Sequence, residues 1–181
     1  MPWEGLWRDW TVWILGYFHD KGKELQFTPE TKPLPDGRGK GEYLVDLCWW
    51  KEQGGQYWLE LILESEWQTG KPEIDQDFYK LIDVKSRLKV WVCSWGEKQM
   101  QARQSELSGM VEKARFKLPE EEYLIINMPD SQKAEYKDCV VVNGFWMNSS
   151  GSPSQLRPLQ IHRKVSGTEG QAFGMQIVPP S

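Results

Sequence analysis

Apolar residues recur three and four apart through Trp3, Trp7, Trp10, Ile14 and Phe18, behind a proline at position 2. Side chains at that period share one face of a helix, so the spacing predicts an amphipathic helix from Pro2 to about Tyr17, ending before a Lys21-Gly22-Lys23 turn. Residues 28–41 hold three prolines and three glycines around Lys32, Arg38 and Lys40, which reads as a basic loop, solvated or lying along a substrate's backbone. Two aliphatic and aromatic runs follow, residues 42–50 and 57–67, and the polar Gly-Gly segment between them has the composition of a hairpin turn. Gly70 and Pro72 break the second run. A helix from Asp75 with Phe78, Leu81, Ile82 and Leu88 inward comes next.

The pattern then gives a strand over residues 88–95 and a polar helix over 97–116 with Met100, Leu107, Met110 and Val111 as its apolar stripe. Strands are expected over residues 122–127 and 139–146. A strand, helix, strand crossover implies some parallel pairing, so the fold class is α/β, a mixed β-sheet flanked by helices. Residues 1–147 read as one domain. Residues 148–181 read as a linker, 148–155, and a tail that is either a small hairpin around Gly167 and Gly170 or disordered.

Composition narrows the function classes. The net charge of −4, from 22 basic and 26 acidic residues, argues against a general electrostatic grip on nucleic acid and leaves room for a local basic stripe. Eleven tryptophans supply packing anchors first and a base-stacking platform second. Cys48, Cys93 and Cys139 lack zinc-ligand spacing, and their odd number fits reduced thiols in a cytoplasm. The apolar stretch over residues 10–18 is too short to span a bilayer, and Glu4 and Asp9 are foreign to a signal peptide. The expectation is a soluble, cytoplasmic protein that does not engage membrane. No glycine-rich phosphate loop supports ATP or NAD chemistry, and neither His19 nor His162 has a recognisable catalytic partner.

The chemistry concentrates in Leu63-Glu64-Ser65-Glu66-Trp67. Strand alternation puts Glu60, Ile62, Glu64 and Glu66 on one side and Leu59, Leu61, Leu63 and Ser65 on the other, which makes Ser65 a poor nucleophile candidate. Asp46 interrupts the preceding apolar run, where an unpaired carboxylate is costly unless a cation or a donor meets it. Adjacent strands can therefore aim Asp46 and Glu64 at one Mg²⁺ or Mn²⁺. The plainer alternative is a solvated acidic face. Lys80, on the following helix, is either a site ammonium or a surface charge paired with Asp77 or Asp83, and Asp77 is also placed to favour the helix N-terminus.

Helix, Asp-bearing strand, Glu-x-Glu strand, helix and strand, from about residue 4 to residue 95, resemble the core of the PD-(D/E)xK, or restriction-endonuclease-like, superfamily. The pattern maps onto Asp46 and Glu64, with Glu66 standing where the family has lysine and Lys80 as the candidate substitute. Glu-Ser-Glu-Trp, then Asp-Phe-x-Lys-Leu and an Arg-Leu-x-Val strand, over residues 63–93, is also similar to a group of bacterial proteins assigned an endonuclease-like fold without an established substrate. The resemblance implies a metal-dependent phosphodiester hydrolase: Asp46, Glu64 and Glu66 hold Mg²⁺ or Mn²⁺, Lys80 stabilises the transition state, and nucleic acid, DNA first, is the substrate. A homodimer would suit cleavage of two strands. Two other functions stay open, a catalytically idle module of the same fold that binds nucleic acid or protein, and an unrelated interaction protein docking through its Trp-rich helix.

Overall fold

The computed structural model describes residues 7–39, 41, 44–67, 71–128, 139–163 and 175–178. The helix start expected at Pro2 and Trp3, and the tail segment around Gly167 and Gly170, lie outside the described residues. Helix α1 spans Trp7–Glu24 and so runs straight through the Lys21-Gly22-Lys23 segment expected to end it. Gly22 is there for packing rather than for a turn: a Cβ on it would lie 2.6 Å from Trp49 Nε1, and that indole donates to the Phe18 carbonyl at 3.0 Å. The helix ends four residues later than its glycine suggests. Phe27 N bonds Gly22 O at 2.9 Å and Gln26 N bonds Lys23 O at 3.0 Å, the paired bonds of a Schellman stop. Gln26 takes the left-handed conformation, φ 63°, that this stop requires and that glycine adopts without strain.

Strands β1 (Thr28–Thr31), β2 (Leu47–Gln53) and β3 (Gln56–Glu66) form an antiparallel meander. The first lies inside the segment expected to be loop. Gly54 and Gly55, both at positive φ, close the β2–β3 hairpin in the two-residue turn that matches strand twist. Helix α2 (Lys71–Asp83) begins four residues before the expected Asp75, then β4 (Ser86–Cys93) pairs parallel with β3. Helix α3 (Glu97–Lys113) leads to β5 (Glu122–Asn127), parallel to β4, and β6 (Cys139–Asn148) returns antiparallel. Beyond it β7 (Pro153–Gln155) and β8 (Leu159–Arg163) pair along β6, and β9 (Met175–Val178) pairs with β8. The sheet order is β1-β2-β3-β4-β5-β6-β8-β9, with β7 also on β6. The linker-like composition of residues 148–155 thus belongs to a tight turn, in which Asn148 Oδ1 accepts from Ser150 N and Ser152 N, followed by a strand.

Each sheet face has its own apolar cluster. Ile74, Phe78 and Leu81 of α2, with Leu107 and Val111 of α3, cover Ile62, Trp91, Tyr123 and Phe145. Ile14 and Leu15 of α1 join Leu47, Leu61, Leu63, Val90 and Val92 on the opposite face. Strict alternation along β3 fails at one place: partners jump from Trp49↔Leu61 to Trp50↔Leu59, and Leu59 packs with Ile62 rather than with Leu61 and Leu63. A bulge of this kind turns the side chains beyond it.

The sheet also seals an ion pair that the sequence pattern concealed. Lys89 Nζ of β4 lies 2.9 Å from Glu121 Oε2, both side chains fully buried, and it also meets the Ile82 carbonyl at 3.2 Å. Tyr123 Oη donates to Glu121 Oε2 at 3.1 Å and Leu118 N donates to Oε1 at 3.0 Å, so the carboxylate is fully engaged. Burial pulls the Lys89 ammonium below its usual range, against the support of Glu121. Lys89→Met, which strands Glu121, is expected to cost about 3–5 kcal/mol in urea unfolding, and adding Glu121→Leu should recover much of it. In α1, Gly22→Ala is expected to destabilise by about 1–3 kcal/mol through collision with Trp49. Gln26→Gly should stabilise by about 1 kcal/mol in the same assay.

Candidate functional site

Glu64 lies near the C-terminal end of β3, opposite Trp91 of β4, on the sheet side that carries α2. It is only 5% exposed. Helix α2 crosses above it and directs Lys80 downward, with Nζ 3.4 Å from Glu64 Oε1 and 2.6 Å from Asp77 Oδ1. The helix starts at Lys71, so Asp77 sits in its second turn and serves Lys80 rather than the helix N-terminus. Lys80 therefore meets Glu64 and Asp77 together, the second being one of the pairings that its position on the helix left open.

Asp46 ends up just outside β2, because that strand begins at Leu47 and not at residue 42. The last paired step between β2 and β3 is Leu47↔Leu63, and two residues beyond it Ser65 N turns to the Asp46 side chain. Asp46 Oδ2 accepts from Ser65 N at 3.0 Å and from Ser65 Oγ at 2.6 Å. Its other oxygen, Oδ1, receives Lys32 Nζ at 2.6 Å. The Asp46 carbonyl is held as well, by Lys32 N at 3.1 Å and Thr31 Oγ1 at 3.2 Å. Asp46 is thus a buried, 6% exposed carboxylate clamped between the end of β1 and the end of β3.

The two acids turn to different partners, Asp46 to Lys32 and Ser65, Glu64 to Lys80. They still sense each other. Burial, and then the negative charge of Asp46, push the Glu64 carboxyl up to about 8, against the pull of Lys80. The carboxylates of Asp77 and Glu64 hold Lys80 above its usual ammonium range despite the opposing effect of burial. Glu66, half-buried at the end of β3, is in register with Cys93, and alternation puts it on the side of Glu64.

Lys32 and Ser65 are the members that the sequence pattern does not single out. Lys32 is hidden among the charges of a loop, and Ser65 points away from Glu64, as alternation requires, yet reaches Asp46 around the strand end. His19 is buried on α1, with Nδ1 3.2 Å from Asp20 Oδ1. Cys48 and Cys93 are buried free thiols, and burial pushes the Cys48 thiol up to about 12, which suits packing rather than reactivity.

Among the described residues, no group of three or more His, Cys, Asp or Glu side chains is assembled for a metal ion. Asp46 and Glu64 are nonetheless donors of the type that a hard cation would take. Oxygen donors are what Mg²⁺ and Mn²⁺ take, and the charge that Asp46 imposes on Glu64 is the repulsion a divalent cation removes. The cost of fitting it is the Lys32 contact on Asp46 Oδ1.

Compared with protein-family models, with curated proteins and with solved structures, the chain gives no match. No helix among the described residues is long and apolar enough to cross a membrane.

Glu64 ties stability to pH. Below about pH 4.5 the carboxyl is protonated in both folded and unfolded chains, and from there to about pH 8 the unfolded chain releases a proton that the folded one retains. Its contribution is therefore complete at low pH and lost as pH rises through that window, on the order of 5 kcal/mol in all. Urea unfolding of the cation-free protein at several pH values should show this fall relative to Glu64→Gln. Parallel pH profiles for the two proteins would refute the assignment.

Proposed function

We propose that this protein is a metal-dependent phosphodiester hydrolase of restriction-endonuclease-like fold, acting on nucleic acid, with DNA the first substrate to test. The observation that carries the reading is a buried glutamate, Glu64, raised by its burial and then by the charge of Asp46, and met by the Lys80 ammonium at the end of a central strand. The order α1, β1–β3 meander, α2, β4, with Asp46 at the head of one hairpin strand and Glu64 near the end of the other, supports it. Perturbed carboxyls grouped with a lysine are what hydrolytic sites use.

A bound Mg²⁺ or Mn²⁺, held by Asp46 and Glu64 with Glu66 beside them, would supply Lewis acidity at a phosphate oxygen and an activated water. The chain's own groups do the rest. Lys80 places positive charge beside Glu64, where the negative charge of a phosphoryl transition state develops, and Asp77 keeps that ammonium protonated and aimed. Ser65 fixes the Asp46 carboxylate in one orientation. Glu66 is the remaining carboxylate at the strand end and takes the role of proton acceptor. Cutting both strands of a duplex would bring two copies of the chain together.

A second reading has its own support. Glu66 stands where the resembled family has lysine, and Lys32 already neutralises Asp46, features suited to an idle module that binds nucleic acid or a protein without cleaving.

The test is Mg²⁺ and Mn²⁺ titration calorimetry beside nicking of supercoiled plasmid, on wild type, Glu64→Gln, Asp46→Asn and Lys80→Met. Cation-dependent nicking that drops about 100-fold or more in each variant is expected. Cation binding without nicking selects the idle module. Nicking that survives in Glu64→Gln would remove the hydrolase from this site.

A further inference from the structure

Lys32 follows directly on β1 and grips Asp46 twice, through its main-chain N to the carbonyl at 3.1 Å and through Nζ to Oδ1 at 2.6 Å. The main-chain bond fixes where the residue sits, and the four-carbon stem leaves its ammonium free to change partner. That side chain is 32% exposed while the Asp46 side chain is 9% exposed, so the pair is open on the lysine side alone. Beside it lies a cleft of about 500 Å³ lined by Thr11, Val12, Lys32, Pro33, Leu34 and Pro35. Lys32 thus both pairs with Asp46 and lines this open space.

We propose that Lys32 is the site's built-in counter-ion, occupying Asp46 in place of a divalent cation and withdrawing into the neighbouring cleft when one binds. This rests on the reading of Asp46 and Glu64 as cation ligands. Each acid has its own lysine, but the two pairs differ in kind. Lys80 is shared between Glu64 and Asp77, so losing one contact leaves it the other. Lys32 Nζ is ion-paired with Asp46, and an ammonium at 2.6 Å from that oxygen repels an arriving divalent ion strongly in a partly buried setting. Cation entry is therefore an exchange of charges at Asp46, and the affinity of the site is set by how readily Lys32 leaves.

The experiment is calorimetric titration of Mn²⁺ alone into wild type, Lys32→Met and Lys32→Arg, with thermal melts in the presence and absence of Mn²⁺. Lys32→Met should bind Mn²⁺ about tenfold tighter than wild type, since the competing charge is gone. Lys32→Arg should bind no tighter than wild type. Without cation, Lys32→Met should melt lower than wild type, and saturating Mn²⁺ should raise its midpoint by more than it raises that of wild type. Lys32→Gln, which keeps a donor for Asp46, carries the same expected direction if the methionine variant does not fold. Equal or weaker Mn²⁺ binding by the neutral variants overturns the counter-ion role and leaves the cation site standing. Absence of Mn²⁺ binding in every protein overturns the cation site and the counter-ion role together, whereas binding by the neutral variants alone establishes that Lys32 keeps the site closed.

Discussion

Parallel pairing of β3 with β4, covered on both faces, is the constraint from which the rest of the architecture follows. Parallel neighbours cannot be joined by a tight turn, so the chain must cross over a face of the sheet, and α2 is that crossover. Its apolar stripe fastens it over Ile62 and Trp91, which brings Lys80 above Glu64. The opposite face requires a cover too, and α1 provides it against Leu61, Leu63, Val90 and Val92. A slip of one residue in this pairing would turn Glu64 into the α1 cluster and Leu63 toward Lys80. Two dry faces make that slip prohibitive.

Among the described residues, three lysines meet carboxylates in or beside the sheet, and their surroundings separate their uses. Lys89 and Glu121 are sealed completely and every oxygen of the carboxylate has a donor, which makes the pair a fixed element of the core. Lys80 and Lys32 instead touch buried acids from the rim, with 40% and 32% of their side chains exposed. Water can solvate either ammonium when its partner is taken by something else, so these contacts can be exchanged at modest cost. Sealing gives rigidity, and a half-open rim gives a site that can accept charge.

The succession of elements was legible because the central strands and α2 carry strong periodicity between clear breakers, notably Gly54-Gly55 and the Gly70-Pro72 segment. What failed did so through contacts distant in sequence. Gly22 resembled a helix terminator until Trp49 gave it another reason to be glycine. Residues 28–31 carry too little apolar character to read as a strand, and they pair because β2 offers an open edge. The acids Asp46 and Glu64 stood out as charges inside apolar runs, and Lys80 as a basic residue on the helix that follows. Lys32 and Ser65 could not stand out, since a loop lysine and an inward serine are ordinary until both are seen to meet the Asp46 carboxylate. Lys89 was concealed for a related reason: one charge within an apolar strand does not announce its partner more than thirty residues away.

Because Asp46 accepts from the main-chain N of Ser65, its carboxylate ties the start of β2 to the end of β3. That role is independent of any chemistry at the site. A relative with no reaction to perform could let Glu66 or Lys80 drift, yet would retain an acceptor at position 46 to keep its hairpin from fraying. Persistence of that aspartate among relatives would by itself be poor evidence of an active enzyme, whereas joint retention with Glu64 would be informative.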